Sequence, residues 1–218
     1  MRIGVLADTH VGEHLPALPP EVLERFDGVD LIVHAGDVAL PRVLDELAEV
    51  APVTAVRGNH DRGPLRRLPL STVIPAGPFR IGVTHGMRRA ALELPSSLLS
   101  VAAGRPVLLG FAGQMVGRFT GVDMVITGHL HLSFDQVVDG VRHFSPGAVF
   151  VNEMLHGRVP ERGPAPWAYR RYRKGIDDAD RLPAIGFVQA GPDGLTTERV
   201  VLERPIPVQR LPRRLPRR

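Results

Sequence analysis

The chain of 218 residues contains no cysteine, one tryptophan, a single lysine (Lys174) and only 5% aromatic residues. The absence of cysteine excludes disulfide bonds and thiolate metal sites. Any metal ion must therefore be held by histidine, aspartate, glutamate, asparagine or water. This set of nitrogen and oxygen donors favours the harder divalent ions.

Long hydrophobic runs are also missing. The uncharged stretch 106–117 is well below the roughly 20 residues that a membrane-spanning helix needs. The N-terminal "MRIGVLA" has the pattern of a β-strand and not of a signal peptide. We therefore expect a cytoplasmic protein with no membrane contact, and a hydrophobic content of 44% is typical of a globular protein.

Positive charge is concentrated towards the C-terminus. Residues 1–157 hold 13 arginines against 16 acidic residues, whereas 204–218 holds six arginines and no acid. We predict a single domain over 1–203, with a basic insertion over about 154–183, followed by a Pro/Arg-rich tail over 204–218. The net acidic main body makes a nucleic-acid partner the less favoured interpretation.

The Arg-rich stretch 158–174 has two interpretations. Its aromatic residues, among them Trp167, alternate with arginines and would allow stacking on a base while a phosphate is held. A charged surface insertion is the favoured interpretation, because arginine and tyrosine are common on exposed faces.

Apolar runs typical of β-strands alternate with helical segments in the first 130 residues. The runs are Ile3–Ala7, Leu31–Ala35, Val53–Val56, Arg80–Thr84 and Met124–Thr127. This order predicts parallel or mixed sheets with right-handed crossovers. Turn signals at Asp139-Gly140 and Asp193-Gly194 predict hairpins that complete a second sheet. The expected fold class is α/β, with two sheets packed face to face and helices outside.

Residues 87–119 are predicted to form two helical pieces, broken near Pro95 and near Gly104-Arg105-Pro106. Much of their surface is apolar, which is typical of helices that cover a sheet. A lid or a self-association face, and hence a homo-oligomer, is the alternative.

Polar residues follow each of the five predicted strands where it ends. They are Asp8-Thr9-His10, Gly36-Asp37, Gly58-Asn59-His60-Asp61, His85-Gly86 and Gly128-His129-Leu130-His131. Because ligands gather beyond the carboxyl ends of strands in open α/β sheets, these side chains are expected to converge on one small volume. Crowded carboxylates and imidazoles would be costly there without a cation.

The donor types indicate the kind of metal site. Two carboxylates, one amide oxygen and four imidazoles suit manganese, iron, zinc, nickel or cobalt. Seven ligands are too many for one catalytic ion with open positions, and they suit two ions that share a carboxylate. The adjacent glycines would allow the backbone to turn sharply and approach the ions closely.

As an ordered set over roughly residues 1–150, these five motifs resemble those of the calcineurin-like metallophosphoesterases, especially the small single-domain prokaryotic phosphodiesterases. The resemblance implies a four-layer α/β/β/α sandwich, a dinuclear metal centre with manganese as the first choice, and in-line attack of a metal-bound hydroxide on phosphorus. It also implies that Asp37 bridges the two ions. The remaining ligands would be Asp8, His10 and His131 for one ion, and Asn59, His85 and His129 for the other.

His60 stands outside this ligand set, and the resemblance implies that it is the general acid that protonates the leaving oxygen or that it orients the phosphate. Many relatives carry an aspartate and an arginine at the positions of Leu40 and Pro41, where the aspartate orients the catalytic histidine and the arginine contacts phosphate. Their absence here favours diesters over monoesters. A substrate-binding arginine would have to come from elsewhere, with Arg57, Arg62, Arg88 and Arg89 as candidates by proximity in sequence only.

Three functions remain open at this point. The leading hypothesis is a phosphodiesterase acting on a small organic or nucleotide diester. The second is a non-catalytic protein-binding scaffold of the same fold, against which the complete ligand set argues. The third is a nuclease that uses the basic segments.

Four other histidines are predicted to be structural or on the surface: His14, His34, His143 and His156.

Overall fold

The computed structural model describes residues 1–150 and 175–204, which form two five-stranded sheets. The first sheet contains, in spatial order, β10 (Gly194–Val201), β9 (Ala184–Gly191), β1 (Arg2–Leu6), β2 (Leu31–His34) and β3 (Val53–Ala55). The second contains β4 (Ser71–Ala76), β5 (Phe79–Thr84), β6 (Met124–Ile126), β8 (Val141–Pro146) and β7 (Ser133–Val138).

Both sheets are mixed, as the order of strands and helices predicted. In the first sheet β1, β2 and β3 are parallel, and β9 joins β1 antiparallel with Val188 opposite Ile3. In the second sheet β5, β6 and β8 are parallel, while the antiparallel strands β4 and β7 form the two edges. Parallel strands place their carboxyl ends at one edge of each sheet.

Four layers result from the alternation of apolar side chains along the strands. Ile3 and Val5 of β1 pack with Ile81 of β5 and Met124 of β6 in the core between the sheets. The other face of the first sheet is covered by α1 (Pro20–Arg25) and α2 (Arg42–Ala48). The other face of the second sheet is covered by α4 (Phe111–Val116), whose Phe111 and Met115 pack with Val125. The predicted α/β/β/α sandwich is confirmed.

The sequence pattern missed β4. It contains Pro75, and proline is unfavourable inside a sheet because it cannot donate to a ladder. The strand lies at a sheet edge, where a missing donor is tolerated, and Pro75 pairs there with Arg80.

The predicted break at Pro95 was wrong. α3 (Ala90–Ala103) continues through this residue and ends at Gly104, whose φ of +68° closes the helix. Its outer side leaves Leu94, Leu98 and Leu99 63%, 62% and 47% exposed. The covering helix of this region is therefore α4, and α3 is peripheral.

Both predicted hairpin turns occur, but only the first completes the second sheet. The prediction was wrong for the second turn, because β9 and β10 pair beside β1 in the first sheet. Asp139 and Gly140 join β7 to β8 with φ of +51° and +79°, and two residues separate β9 from β10. Short 3₁₀ helices span Gly63–Arg67 and Asp178–Arg181.

The Arg-rich stretch 158–174 and most of the predicted tail lie outside the described residues. None of the helices that the structure describes has both the length and the apolar character needed to cross a membrane.

Candidate metal centre

The loops that follow β1, β2, β3, β5 and β6 meet at one place between the two sheets. The amide of Asp8 donates to the carbonyl of Gly36 at 2.9 Å, joining the loops after β1 and β2. The amide of His129, after β6, donates to Asp8 Oδ2 at 3.0 Å and so joins the second sheet to the first. The predicted site residues are therefore brought together by main-chain contacts.

Donor atoms of these loops form three compact groups, each within 4.8 Å. The groups are Asp8, His10 and His131; Asp8, Asp37 and His85; and His10, Asp37 and His60. Asp8 and Asp37 each belong to two groups and are almost completely buried. The two carboxylates thus lie at the centre of the cluster.

Asn59 and His129 lie at its margin. Asn59 Oδ1 is 3.2 Å from Nε2 of His85, and the ring centre of His129 is 5.1 Å from that of His85. His60 lies on the opposite side, with its ring centre 4.6 Å from that of His10 and its amide donating to Asp37 Oδ1 at 2.7 Å. All eight predicted site residues are thus in one neighbourhood.

The backbone is strained at five of these residues. Asp8, His10, Asp37, His129 and His131 have φ between +45° and +74°, a region that residues with a Cβ rarely adopt. Each such conformation costs of order 1–3 kcal/mol and persists only where the surroundings impose it. Strain concentrated on one cluster is typical of a functional site.

Two of the predicted glycines lie directly against the buried carboxylates. A Cβ on Gly58 would lie 2.1 Å from Asp37 Oδ1, and one on Gly128 would lie 2.7 Å from Asp8 Oδ2. Any larger residue at either position would displace the carboxylate beside it.

Three histidines of the cluster are held through one ring nitrogen. Nδ1 of His10 is 2.9 Å from Glu13, Nδ1 of His85 is 2.8 Å from the Ala35 carbonyl, and Nε2 of His129 is 3.2 Å from Glu93. Metal-binding histidines usually donate from one nitrogen in this manner and offer the other to the ion.

Nε2 of His10 carries the clearest sign of a cation site. It is buried and makes no hydrogen bond to any described residue, although Asp37 Oδ2 is only 3.4 Å away. A buried polar atom without a partner is costly. An unsatisfied imidazole nitrogen facing a carboxylate is the arrangement that a divalent cation would satisfy, so the residues fit a metal.

The electrostatics of the cluster keep its carboxylates ionised. Burial opposes ionisation of Asp37, but hydrogen bonding and charge from His85 outweigh it and hold the pKa of Asp37 well below its usual range. Burial likewise opposes charging of His85, yet the bond to Asp37 and the charge of Asp8 raise its pKa to about 9. Protonated His85 thus supplies positive charge that a bound cation would replace.

Sequence reasoning missed several supporting residues. Asp61 is buried and accepts from the amides of Gly58 and Asp37 through Oδ2, and from that of Ala39 through Oδ1. It ties the loop after β3 to the loop after β2. Its position directly after His60 was the only sequence signal for this role.

Glu13 and Glu93 were also missed, because each contacts a histidine from a distant loop, His60 and His129 respectively. Glu13 contacts His60 as well as His10, with its Oε2 2.6 Å from His60 Nδ1. Glu93, on α3, is held by Arg88, which also donates to the Leu108 carbonyl. Arg88 is therefore engaged in anchoring α3 and is not free to bind substrate.

The remaining described histidines divide into two kinds. His34 and His143 are buried, and burial lowers the pKa of each to about 4; His34 contacts Thr9 and His143 contacts Thr127. They support the loops, in agreement with their predicted structural role. His14 instead lies beside the cluster, with its ring centre 4.9 Å from that of His10.

Comparison with known proteins gives the same result as the resemblance drawn from the motifs. A calcineurin-like phosphoesterase superfamily domain matches residues 1–158. A probable metallophosphoesterase of Methanocaldococcus jannaschii is 34% identical over 148 residues, which cover 68% of this chain and 68% of that protein.

Solved structures share the fold at lower identity. An archaeal protein described as a novel phosphodiesterase has a TM-score of 0.56 at 21% identity, covering 93% of this chain and all of that one. Vacuolar protein sorting 29 of Cryptosporidium parvum has a TM-score of 0.59 at 16% identity, covering 93% of this chain and 98% of the other. The sequence match, which spans more than half of the chain, confirms the predicted family. The chain belongs to the calcineurin-like phosphoesterase superfamily.

Proposed function

We propose that the protein is a metal-dependent phosphodiesterase that hydrolyses a small organic or nucleotide diester. The observation that carries this proposal is the grouping of five proposed donors, from Asp8, His10, Asp37, His85 and His131, in sets whose atoms lie within 4.8 Å of one another. Asn59 and His129 lie beside His85, and the buried Nε2 of His10 is unsatisfied beside Asp37. The structural likeness to the archaeal phosphodiesterase supports it.

The proposed ligand set has two halves. The first half consists of Asp8, His10 and His131, the second half consists of Asn59, His85 and His129, and Asp37 is shared between them. Divalent transition metals suit these donors, with manganese as the first choice and iron, zinc, nickel or cobalt as alternatives. When bound, two such ions would lower the pKa of a shared water and neutralise charge on the phosphoryl oxygens.

His60 is the proposed general acid. In the hydrolysis, the oxygen of water forms a bond to phosphorus and the bond from phosphorus to the leaving oxygen breaks. His60 transfers a proton to that leaving oxygen, so that an alcohol departs and a monoester remains. The attacking water loses one proton as its bond to phosphorus forms, which balances the proton that His60 gives up. Its Nδ1 is engaged by Glu13, which leaves Nε2 for the transfer.

The preference for diesters rests on the loop after β2. Leu40 packs against Gly12, so closely that a Cβ on Gly12 would come within 2.8 Å of Leu40 Cδ1. This position therefore supports the neighbouring loop and offers no charge to the additional anionic oxygen of a monoester.

One domain is the proposed organisation over residues 1–203. β9 and β10 follow the undescribed residues 151–174 in the chain, yet they pair beside β1 and complete the first sheet. The first sheet is therefore completed by chain that lies beyond the family match.

The direct experiment is an assay of the purified protein with added Mn²⁺. The substrates are bis(4-nitrophenyl) phosphate, 4-nitrophenyl phosphate, cyclic nucleotides and single-stranded DNA. We expect metal-dependent turnover of the small diesters, slower turnover of the monoester, and none after chelation with EDTA. Preferential cleavage of DNA would favour the nuclease alternative, and no turnover of any substrate would contradict the proposal.

A protein-binding scaffold is the second candidate, favoured by the exposed leucines of α3 and by the shared fold of vacuolar protein sorting 29. A scaffold would retain its partner when the metal ligands are removed. An Asp37→Asn variant that performs every cellular role of the parent would support this candidate over the enzyme.

A further inference from the structure

The proposed acid, His60, is 39% exposed and follows β3 in a loop, so its ring needs a partner to fix its orientation. The position that carries the orienting aspartate in many relatives is Leu40 here, and its side chain packs on Gly12. The partner that the structure supplies comes from a different loop. It is Glu13, which follows β1 and is separated from His60 by 47 residues.

Glu13 contacts two imidazoles with a single carboxylate oxygen. Its Oε2 is 2.6 Å from Nδ1 of His60 and 2.9 Å from Nδ1 of His10. The two rings lie edge to face, with centres 4.6 Å apart. In both cases the nitrogen that faces away from the carboxylate is Nε2. For His10 this is the buried nitrogen without a hydrogen bond.

The loop that carries Glu13 is itself well fixed. The amides of Glu13 and His14 both donate to the His10 carbonyl at 2.9 Å, and the amide of Gly12 donates to the Leu15 carbonyl at 2.7 Å. Val11 and Leu15, which are buried, form a short bridge across the loop. A carboxylate held by so short a turn can fix the rings that it contacts.

We propose that Glu13 is the positioning residue for His60, and that through the same oxygen it couples the acid to the metal ligand His10. The inference rests on the proposed function, because it assumes that His60 protonates the leaving group. Glu13 itself touches neither substrate nor metal. It sets the direction of His60 Nε2 and fixes the ring of His10, so that acid and ion keep a constant spacing.

The experiment compares wild type, Glu13→Ala, Glu13→Gln, His60→Ala and the double variant on aryl diesters that differ only in leaving group. Saturating Mn²⁺ removes any effect of weakened metal binding. A basic leaving group such as phenol needs the acid, whereas dinitrophenol does not. Glu13→Ala should lower kcat for the phenyl ester by about 10²-fold and for the dinitrophenyl ester by less than about 3-fold, with little change in KM.

Two further results are expected. The double variant should be no slower than His60→Ala alone, because residues that act as a unit are not additive. Glu13→Gln, which retains one acceptor oxygen, should recover part of the loss on the phenyl ester. The matched control is Glu49→Gln, a charge removal at an exposed residue after α2, which should behave as wild type.

A nuclear magnetic resonance measurement of the histidine ring nitrogens tests the contact itself. The His60 Nδ1–H signal should be shifted downfield in wild type and should lose that shift in Glu13→Ala. If wild type is active but Glu13→Ala slows all esters equally, or leaves this signal unchanged, the positioning role alone is overturned. A wild type that hydrolyses no diester would overturn the proposed function together with this inference.

Discussion

The two halves of the candidate metal centre are supported by different parts of the fold. In the first half, His10 is held by Glu13, three residues further along the same loop. In the second half, His129 is held by Glu93, which is 36 residues distant and lies on the peripheral helix α3. Both carboxylates occupy one imidazole nitrogen and leave the other for an ion.

His10 is thus supported by a residue of its own loop, whereas His129 is supported by a residue that is distant in the chain. The loop after β1 is part of the core of the fold, with Val11 and Leu15 buried on either side of Glu13. α3 instead exposes its leucines, and Glu93 depends on Arg88 for its position. We therefore expect the first half to bind an ion more tightly than the second half.

The largest effect is expected at the residue that the halves share. Asp37→Asn should lower turnover by about 10³-fold and should reduce the bound metal in both halves, because the neutral amide no longer stabilises two cations. Metal content measured by plasma mass spectrometry checks this expectation. Asp45→Asn, at an exposed position on α2, is the matched control. Two bound ions in Asp37→Asn would show that the halves do not share this ligand.

Asp61 tests whether the loops keep their shape without metal. Asp61→Ala removes the acceptor of three main-chain amides, and leaving them unsatisfied should lower the free energy of unfolding by about 3 kcal/mol. Urea unfolding of the metal-free protein measures this loss, with Asp45→Ala as the control. A loss as small as that of the control would mean that the loops do not need this anchor.

Glu93 tests the second half alone. Glu93→Gln should weaken the weaker of two Mn²⁺ binding events by about 10-fold and leave the tighter one unchanged, because His129 is the one proposed ligand that loses a charged partner among the contacts described above. Calorimetric titration resolves the two events. If the tighter event weakened instead, the assignment of local and long-range support would have to be reversed.

The smallest effect is expected for the pH dependence of stability, at His143 on β8. Burial lowers the pKa of His143 to about 4 from an ordinary value near 6.5. The unfolded chain therefore binds a proton more readily, so the contribution of neutral His143 is present above pH 6.5 and is lost as the pH falls towards 4. Between pH 7 and pH 5.5, wild type should lose about 1 kcal/mol more stability than His143→Gln. Urea unfolding at the two pH values measures both losses. Equal losses in wild type and in His143→Gln would contradict burial of the neutral ring.

The sequence predicted the fold where local pattern decides it. Continuous apolar runs identified β1, β2 and β5, and the turn signal at Asp139-Gly140 identified the hairpin between β7 and β8. The sequence did not predict β4, because its position in the sheet overrides the low strand propensity of proline. The strand contains Pro75, which is tolerated because β4 lies at an edge. Residue type alone also gave the wrong prediction at Pro95, because α3 continues through it.

For the site, the strand ends were readable and their supports were not. Asp8, Asp37 and His85 follow apolar runs directly, so the topology brings them together. The pairing of Glu13 with His60 and of Glu93 with His129 depends on how separate loops pack, and no spacing in the chain encodes it. The ligand roles themselves remain predictions until an ion is located.

The most direct test of this account is the anomalous scattering of a crystal grown with Mn²⁺. We predict two peaks, roughly 3.5–4 Å apart, as in other two-metal sites. One should lie against Asp8, His10 and His131, the other against Asn59, His85 and His129, and both should contact Asp37. A single peak, or two peaks that do not share Asp37, would contradict the proposed centre.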